Sequence, residues 1–142
     1  IGDPVTAGDL LCYLVENLAD ALPVSTKPTP KIEAALPANL RITQPALNLA
    51  QKAKEQMPQD AHISDTLGWI YYKKNVPGTA ITYLREAADK MPDQPMIRYH
   101  LGMAYYKNGN REQAKKELSA ALAINAGFAG ADEARATLNN LK

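Results

Sequence analysis

The sequence repeats itself with a period of 34 residues. When residues 61–94 are aligned with residues 95–128, the same residue types recur at matched positions. The matched pairs are Leu67 and Leu101, Gly68 and Gly102, Tyr71 and Tyr105, Ala80 and Ala114, and Ala87 and Ala121. A fixed period of this length indicates an array of similar supersecondary units stacked on one another.

Each unit is predicted to contain two helices. Apolar residues recur every three or four positions on both sides of a break, which is the spacing of a helix that buries one face. The breaks are Asn-Val-Pro-Gly at 75–78 and Asn-Gly-Asn at 108–110, both of which favour turns. The same spacing elsewhere extends the prediction to seven helices, near 8–20, 44–57, 63–74, 78–91, 96–108, 111–124 and 131–141.

The motif in both units resembles the tetratricopeptide repeat family. Its elements are Leu-Gly-x2-Tyr at 67–71 and 101–105, Ala-x3-Leu at 80–84 and 114–118, and Pro92. The resemblance implies an all-α fold, an α-solenoid of helix-turn-helix repeats. Because one repeat cannot bury its apolar face alone, we expect about three repeats and a capping helix.

We predict a single domain over residues 1–142. Repeats two and three span 61–94 and 95–128, and the amphipathic stretch 129–142 is expected to form the capping helix. Repeat one is predicted in two parts, 5–21 and 44–60, separated by an insertion at 22–43 that contains four prolines, which exclude a continuous helix. The insertion is either an excursion without a partner or a recognition element.

Charge and hydropathy exclude several partners. The 142 residues carry a net charge of +1 with both signs interspersed, which disfavours nucleic acid. No apolar run is long enough to span a membrane, so we expect no membrane contact by this segment. The chain begins at Ile1 without an initiator Met, and we interpret it as part of a longer array. An apolar side of the first helix, with Leu10, Leu14 and Leu18, would then support self-association through the N-terminal end.

The sequence shows no pattern typical of catalysis. His62 and His100 have no Cys or carboxylate at the spacing of metal ligands, and the glycines do not form a phosphate-binding loop. Cys12 occupies the position of Gly68 and Gly102, which predicts a buried and inert thiol. We therefore predict no catalytic residue, no metal, no cofactor and no enzyme activity.

The resemblance implies a groove lined by the first helix of each repeat. Tyr, Trp and Met, which are enriched at recognition surfaces, occupy several of the groove positions. We hypothesise that a protein or peptide partner binds there, and the alternative is that the aromatics pack on one another or on the insertion. The predicted binding residues are Tyr13, Asp65, Trp69, Tyr72, Lys73, Tyr99, Met103, Tyr106 and Lys107.

Two other functions remain open at this point. The chain is a structural spacer or self-assembly segment with no groove ligand, or it is the non-catalytic part of a larger enzyme. Residues 60–142 also look like the C-terminal repeats of bacterial multi-repeat proteins, including lipoprotein-type members associated with exopolysaccharide and protein-sorting systems. This finer likeness implies the bacterial cell envelope, with the cytoplasm as the other location.

Overall fold

The computed structural model describes residues 38–142, with side chains from Gln44 onward. This part of the chain forms six helices and no strand. The predicted helix 8–20, Tyr13 and residues 22–37 of the predicted insertion lie outside the described residues. In chain order the helices are α1 (Ala38–Gln56), α2 (Ala61–Lys73), α3 (Pro77–Lys90), α4 (Pro95–Lys107), α5 (Arg111–Ile124) and α6 (Ala131–Asn140).

The last five helices begin and end within two residues of their predicted bounds, whereas α1 begins earlier. Its first residue is Ala38 instead of residue 44, so the last six residues of the predicted insertion are helical. Pro45 lies inside α1, where it removes one backbone donor. The four prolines on which the predicted insertion was based, Pro23, Pro28, Pro30 and Pro37, all precede α1, and only the end of the insertion was placed too late. Burial of Ala46, Leu47 and Ala50 directly after Pro45 favours the helix by removing their apolar surface from water.

Local chemistry explains where the helices start and turn. The Asp60 side chain accepts hydrogen bonds from the backbone amides of His62, at 2.8 Å, and Ile63, at 3.3 Å, which caps the start of α2. The helices α3 and α4 each start with a proline, which needs no donor at that position. Asn75 and Gly109, one period apart, adopt the left-handed backbone with φ of 64° and 85°. These two residues make the tight turns between the helices of each repeat.

Glycines allow the paired helices to approach closely. The most extensive helix contacts are those of α2 with α3 and of α4 with α5. A Cβ atom on Gly68 would lie 2.4 Å from Cγ of Leu84, and one on Gly102 would lie 2.7 Å from Cγ of Leu118. Both leucines are fully buried. The recurrence of glycine one period apart therefore reflects the same helix contact made twice.

The apolar interior runs along the array as three successive clusters. The first lies between α1 and α2 and includes Ile63 and Leu67, and the second lies between α3 and α4 and includes Leu84 and Leu101. The third joins residues of α2, α4, α5 and α6. This arrangement, in which each helix is buried by its neighbours, is that of an α-solenoid.

A polar network joins the first three helices. Nζ of Lys54 on α1 lies 2.6 Å from Oε1 of Glu86 on α3 and 2.7 Å from Oγ of Ser64 on α2. Nζ of Lys90 lies 2.8 Å from the same carboxylate oxygen. Burial alone would raise the pKa of Glu86, but the hydrogen bonds from Lys54 and Lys90 lower this pKa to about 2. Glu86 is therefore charged at neutral pH and holds the network together.

Candidate interaction site

The predicted binding residues of repeats two and three lie on one face of α2 and α4, which we call the groove face. Helix α2 contributes Asp65, Trp69, Tyr72 and Lys73, and α4 contributes the residues one period later, Tyr99, Met103, Tyr106 and Lys107. The two helices contact each other directly. The structure therefore brings these eight predicted residues to neighbouring positions.

Half of the groove face is buried. Trp69 is 9% exposed, Tyr99 and Met103 are each 4% exposed, and Asp65 is 5% exposed. The three apolar side chains belong to the third core cluster, where they pack with Leu118, Leu141 and other residues. Trp69, Tyr99 and Met103 are therefore packing residues, as in the alternative that the aromatics pack on one another, and part of their contacts comes from the segment after α5.

Helix α6 and the turn before it cover the Tyr99 end of the groove face. The hydroxyl of Tyr99 donates a hydrogen bond to the carboxylate of Glu133. Oγ1 of Thr137 lies 3.6 Å from the sulfur of Met103. A Cβ atom on Gly130 would lie 2.7 Å from the Tyr99 ring, so a glycine is needed at this close approach. Both side-chain contacts span 34 residues, and α6 thus takes the place of the first helix of a following repeat.

A buried polar contact that the sequence did not suggest joins α2 to α4. Nδ1 of His100 lies 2.8 Å from Oδ1 of Asp65, and both side chains are buried. The His100 ring also stacks on Trp69, with ring centroids 4.0 Å apart and planes inclined by 22°. The two residues are 35 positions apart, which is one period plus one residue. Aligning the sequence with itself at an offset of 35 would therefore have placed Asp65 opposite His100.

Four residues of the groove face remain accessible, and we call them the Tyr-Lys surface. They are Tyr72 and Lys73 at the end of α2, and Tyr106 and Lys107 at the end of α4. Tyr106 is 39% exposed, Tyr72 is partly buried, and both lysines are exposed. The surface is therefore two Tyr-Lys pairs set one repeat apart.

The lysines of this surface lie on aromatic rings. Tyr72 stacks on Trp69 with ring centroids 4.5 Å apart and planes 7° from parallel. Nζ of Lys107 is 4.4 Å from the centroid of the Tyr72 ring and donates to the Tyr72 carbonyl oxygen at 3.0 Å. Nζ of Lys73 is 4.9 Å from the centroid of the Trp69 ring. Contacts of this length attract a cation to the ring face and restrict the side chain.

Tyr72 and Tyr99 stay neutral at physiological pH. Burial raises the pKa of Tyr99, as do the hydrogen bond to Glu133 and the charge of that carboxylate. Burial also raises the pKa of Tyr72, with smaller contributions from Glu133 and Tyr106. A phenol with a raised pKa is a hydrogen-bond donor and not a nucleophile or a base at neutral pH.

Metal and membrane chemistry find no support in residues 38–142. No group of three or more potential metal ligands occurs in that range. None of the helices α1 to α6 has the length and apolar character that crossing a bilayer requires.

Comparison with known proteins agrees with the repeat architecture. Residues 77–138 match a family model described as tetratricopeptide repeat. The described residues have the helical-repeat fold of this family. No curated protein sequence matches it.

Two solved tetratricopeptide-type structures are similar to the chain. One is the NMR structure of the first TPR domain of the human RPAP3 protein, with a TM-score of 0.65 and 12% identity, over 92% of this chain and 89% of that one. The other is the crystal structure of PcrH in complex with the chaperone binding region of PopD, with a TM-score of 0.62 and 19% identity, over 85% of this chain and 94% of that one. At these identities the likeness shows a shared fold.

Proposed function

We propose that this protein is an interaction module that binds a segment of a partner protein at the Tyr-Lys surface. Tetratricopeptide repeats are typically non-catalytic interaction modules, and the PcrH structure contains a bound region of another protein. We infer the same class of function here. The chain acts by holding a partner, and it carries out no reaction of its own.

The observation that carries this proposal is the exposure of Tyr106 beside a second tyrosine. Among the described residues, Tyr106 is the one exposed aromatic side chain, with 39% of its surface accessible. It lies one repeat after Tyr72. Tyrosine gives a large contact area at a small cost in conformational entropy, and it is enriched where binding energy concentrates. Two such rings and two ammonium groups form a surface of mixed character, which suits a peptide.

The buried half of the groove face has a supporting role in this proposal. Trp69 holds Tyr72 by stacking, and Tyr99 and Met103 fasten α4 to α6. Asp65 contributes through its contact with His100, whose ring stacks on Trp69. In this proposal the four buried residues support the positions of Tyr72 and Tyr106. A partner would contact the two tyrosines and not the buried residues. Tyr13, the predicted binding residue of repeat one, lies outside the described residues.

Selection of random short peptides displayed on phage tests the proposal. Peptides enriched on the wild-type protein are measured for affinity to wild type, Tyr106→Ala and Ile124→Ala. Ile124 is 42% exposed, at the end of α5, and serves as a matched control for loss of exposed apolar area. We expect Tyr106→Ala to weaken binding by about thirtyfold, the effect of a hot-spot residue, with an unchanged melting temperature.

The result that contradicts the proposal is equally specific. If no peptide is enriched, or if enriched peptides bind Tyr106→Ala and Ile124→Ala equally well, the Tyr-Lys surface is not the binding site. The structural spacer then becomes the better description of this chain.

A further inference from the structure

We propose that the bound segment is acidic, and that its carboxylates lie on a basic edge formed by Lys73, Lys74, Lys107 and Arg111. This inference rests on the proposed function, because it names the chemical class of the segment that the Tyr-Lys surface holds. The basic edge is continuous with that surface, since Lys73 and Lys107 belong to both.

The basic edge lies where the carboxyl ends of three helices meet. Lys73 and Lys74 end α2, and Nζ of Lys107, from the end of α4, reaches the Tyr72 carbonyl at 3.0 Å. Nη2 of Arg111 is 3.4 Å from the Asn140 carbonyl at the end of α6. The ends of α2, α4 and α6 thus carry four cationic side chains along one edge, and the Lys74 ammonium lies at its α1 limit, 2.8 Å from Oε1 of Gln44.

These four cations have no carboxylate partner among residues 44–142. The nearest polar acceptors of Lys74, Lys107 and Arg111 are a side-chain amide and two backbone carbonyls. In contrast, Lys54 and Lys90 share Glu86, and Arg98 pairs with Glu117. The edge therefore carries positive charge that the described part of the chain does not neutralise with acidic side chains.

Helix dipoles and the nearest acid do not cancel this charge. Each helix carboxyl end contributes roughly −0.5 of an elementary charge, so three ends offset less than half of four full cations. Glu112 follows Arg111 in sequence, but its carboxylate lies 3.6 Å from Nζ of Lys115, which balances it. A net positive potential remains on the edge and favours an anionic partner.

Two of the ammonium groups are already ordered. Lys107 is held on the Tyr72 ring and Lys73 on the Trp69 ring, at 4.4 Å and 4.9 Å from the centroids. A long side chain that is ordered before binding loses less entropy when it forms an ion pair. The rings are themselves stacked, so the two charges have defined positions relative to the protein backbone.

An extended segment fits the repeat of these charges. Lys73 and Lys107 are equivalent residues on packed helices, whose axes are typically about 8 to 10 Å apart. A polyproline-type chain rises about 3.1 Å per residue with three residues per turn, so side chains three residues apart share a face and lie about 9 Å apart. Because the Lys107 side chain reaches from α4 to the Tyr72 carbonyl on α2, acidic residues up to three positions apart would reach both lysines.

The charge of Glu133 determines which side of the bound segment carries the acidic side chains. Its carboxylate accepts from Tyr99 and is close enough to raise the pKa of Tyr72. A bound carboxylate is repelled from that side and attracted to the lysine side. The acidic side chains would therefore point to the basic edge, with apolar or neutral residues over Tyr72 and Tyr106.

The same random-peptide selection supplies the test. We expect enriched peptides to contain two Asp or Glu residues no more than three positions apart. Each peptide is then synthesised with its carboxylates replaced by amides, and we expect a loss of about tenfold in affinity, as for a few surface ion pairs, that shrinks as salt is added. Lys73→Gln combined with Lys107→Gln should give a similar loss. Lys52→Gln combined with Lys116→Gln removes two exposed lysines that lie on α1 and α5, and it should have no such effect.

The outcomes separate this inference from the proposed function. Peptides that depend on Tyr106 but tolerate both the amide replacement and the Lys73, Lys107 variant would overturn the acidic segment and leave the binding surface in place. The absence of any Tyr106-dependent peptide would overturn both. Polyuridine RNA or phosphatidylserine vesicles are measured in parallel, and lysine-dependent binding of either, without an acidic peptide, would overturn the assigned partner.

Discussion

Oδ1 of Asp65 lies 2.8 Å from Nδ1 of His100, in the buried space between the first helices of two successive repeats. Nδ1–H donates to the carboxylate in the charged ring and in one neutral tautomer alike. The contact sits beneath the stacked ring of Trp69, which borders both helices. A polar contact of this kind fixes the register between repeats, because a buried carboxylate without its partner is costly.

Asp65→Ala should lower the free energy of unfolding by about 3 kcal/mol, because the variant leaves His100 buried without its carboxylate. The double variant Asp65→Ala with His100→Ala should lose less than the sum of the single variants, by about 1 kcal/mol or more. Urea denaturation of all four proteins measures the coupling. Additive losses would show that the two side chains do not stabilise each other.

Gly102→Ala should destabilise the protein by roughly 1 to 3 kcal/mol, through overpacking. The new Cβ atom would lie 2.7 Å from Cγ of Leu118 and 3.1 Å from its backbone nitrogen, so the backbone of α5 would have to shift. Gly78→Ala is the matched control, since a Cβ atom there meets nothing within 4 Å. We expect the control to be neutral or slightly stabilising in thermal unfolding, because alanine favours a helix. Equal melting temperatures for the two variants would rule out the close contact.

Trp69→Ala should reduce stability by about 3 kcal/mol or more, because the indole ring is buried in the third core cluster and stacks on Tyr72 and His100. Tyr106→Ala, at an exposed position, should change stability by about 0.5 kcal/mol or less. Thermal unfolding followed by circular dichroism distinguishes them. A large loss for Tyr106→Ala would mean that this ring is part of the core and would undermine its role in binding.

Stability should fall in acid because Glu86 has a pKa of about 2 in the folded protein, below the usual value of 4.5. A group whose pKa is lowered on folding stabilises the protein above its unfolded pKa, and this contribution is lost as the pH falls towards its folded pKa. The difference in stability between wild type and Glu86→Gln should be constant above about pH 4.5 and should shrink between about pH 4.5 and 2. Urea unfolding across this range measures it.

The cause of that acid dependence has its own check. Lys54→Gln removes one of the two lysines that hydrogen-bond to Glu86, so the pKa of Glu86 should rise. The acid-dependent loss of stability should then be smaller than in wild type and should be complete at a higher pH. An identical acid profile for wild type and Lys54→Gln would show that Lys90 alone sets the charge of Glu86.

Most of the fold could be predicted because its determinants are local. Leu67, Gly68 and their counterparts one period later define the helix contacts within a repeat, and the turn residues stand between them in the sequence. The start of α1 was missed because the insertion was extended from its last proline, Pro37, to residue 43, although residues 38–43 contain no proline. Burial of Ala46 and Ala50 against α2, which favours the helix, is a tertiary effect.

The candidate site was harder to predict because the burial of a repeat depends on the next segment of the chain. Lys73, Tyr106 and Lys107 are exposed and Tyr72 is partly buried, whereas Tyr99, another predicted binding residue, is covered by α6. Nothing within repeat three indicates that cover. The cover could be predicted only by aligning Glu133 with Tyr99 and Thr137 with Met103, at the same offset of 34. This alignment treats α6 as the first helix of a further repeat.

The short sequence separation of the contacts between repeats affects how the chain folds. Asp65 with His100, Tyr99 with Glu133, and Met103 with Thr137 all join residues 34 or 35 positions apart, and the extensive helix contacts are between sequence neighbours or next neighbours. Short sequence separation keeps the entropy of loop closure small and is typical of fast folding. Folding can begin at any helix pair and spread to the next, with no late step that must bring the two ends of the array together.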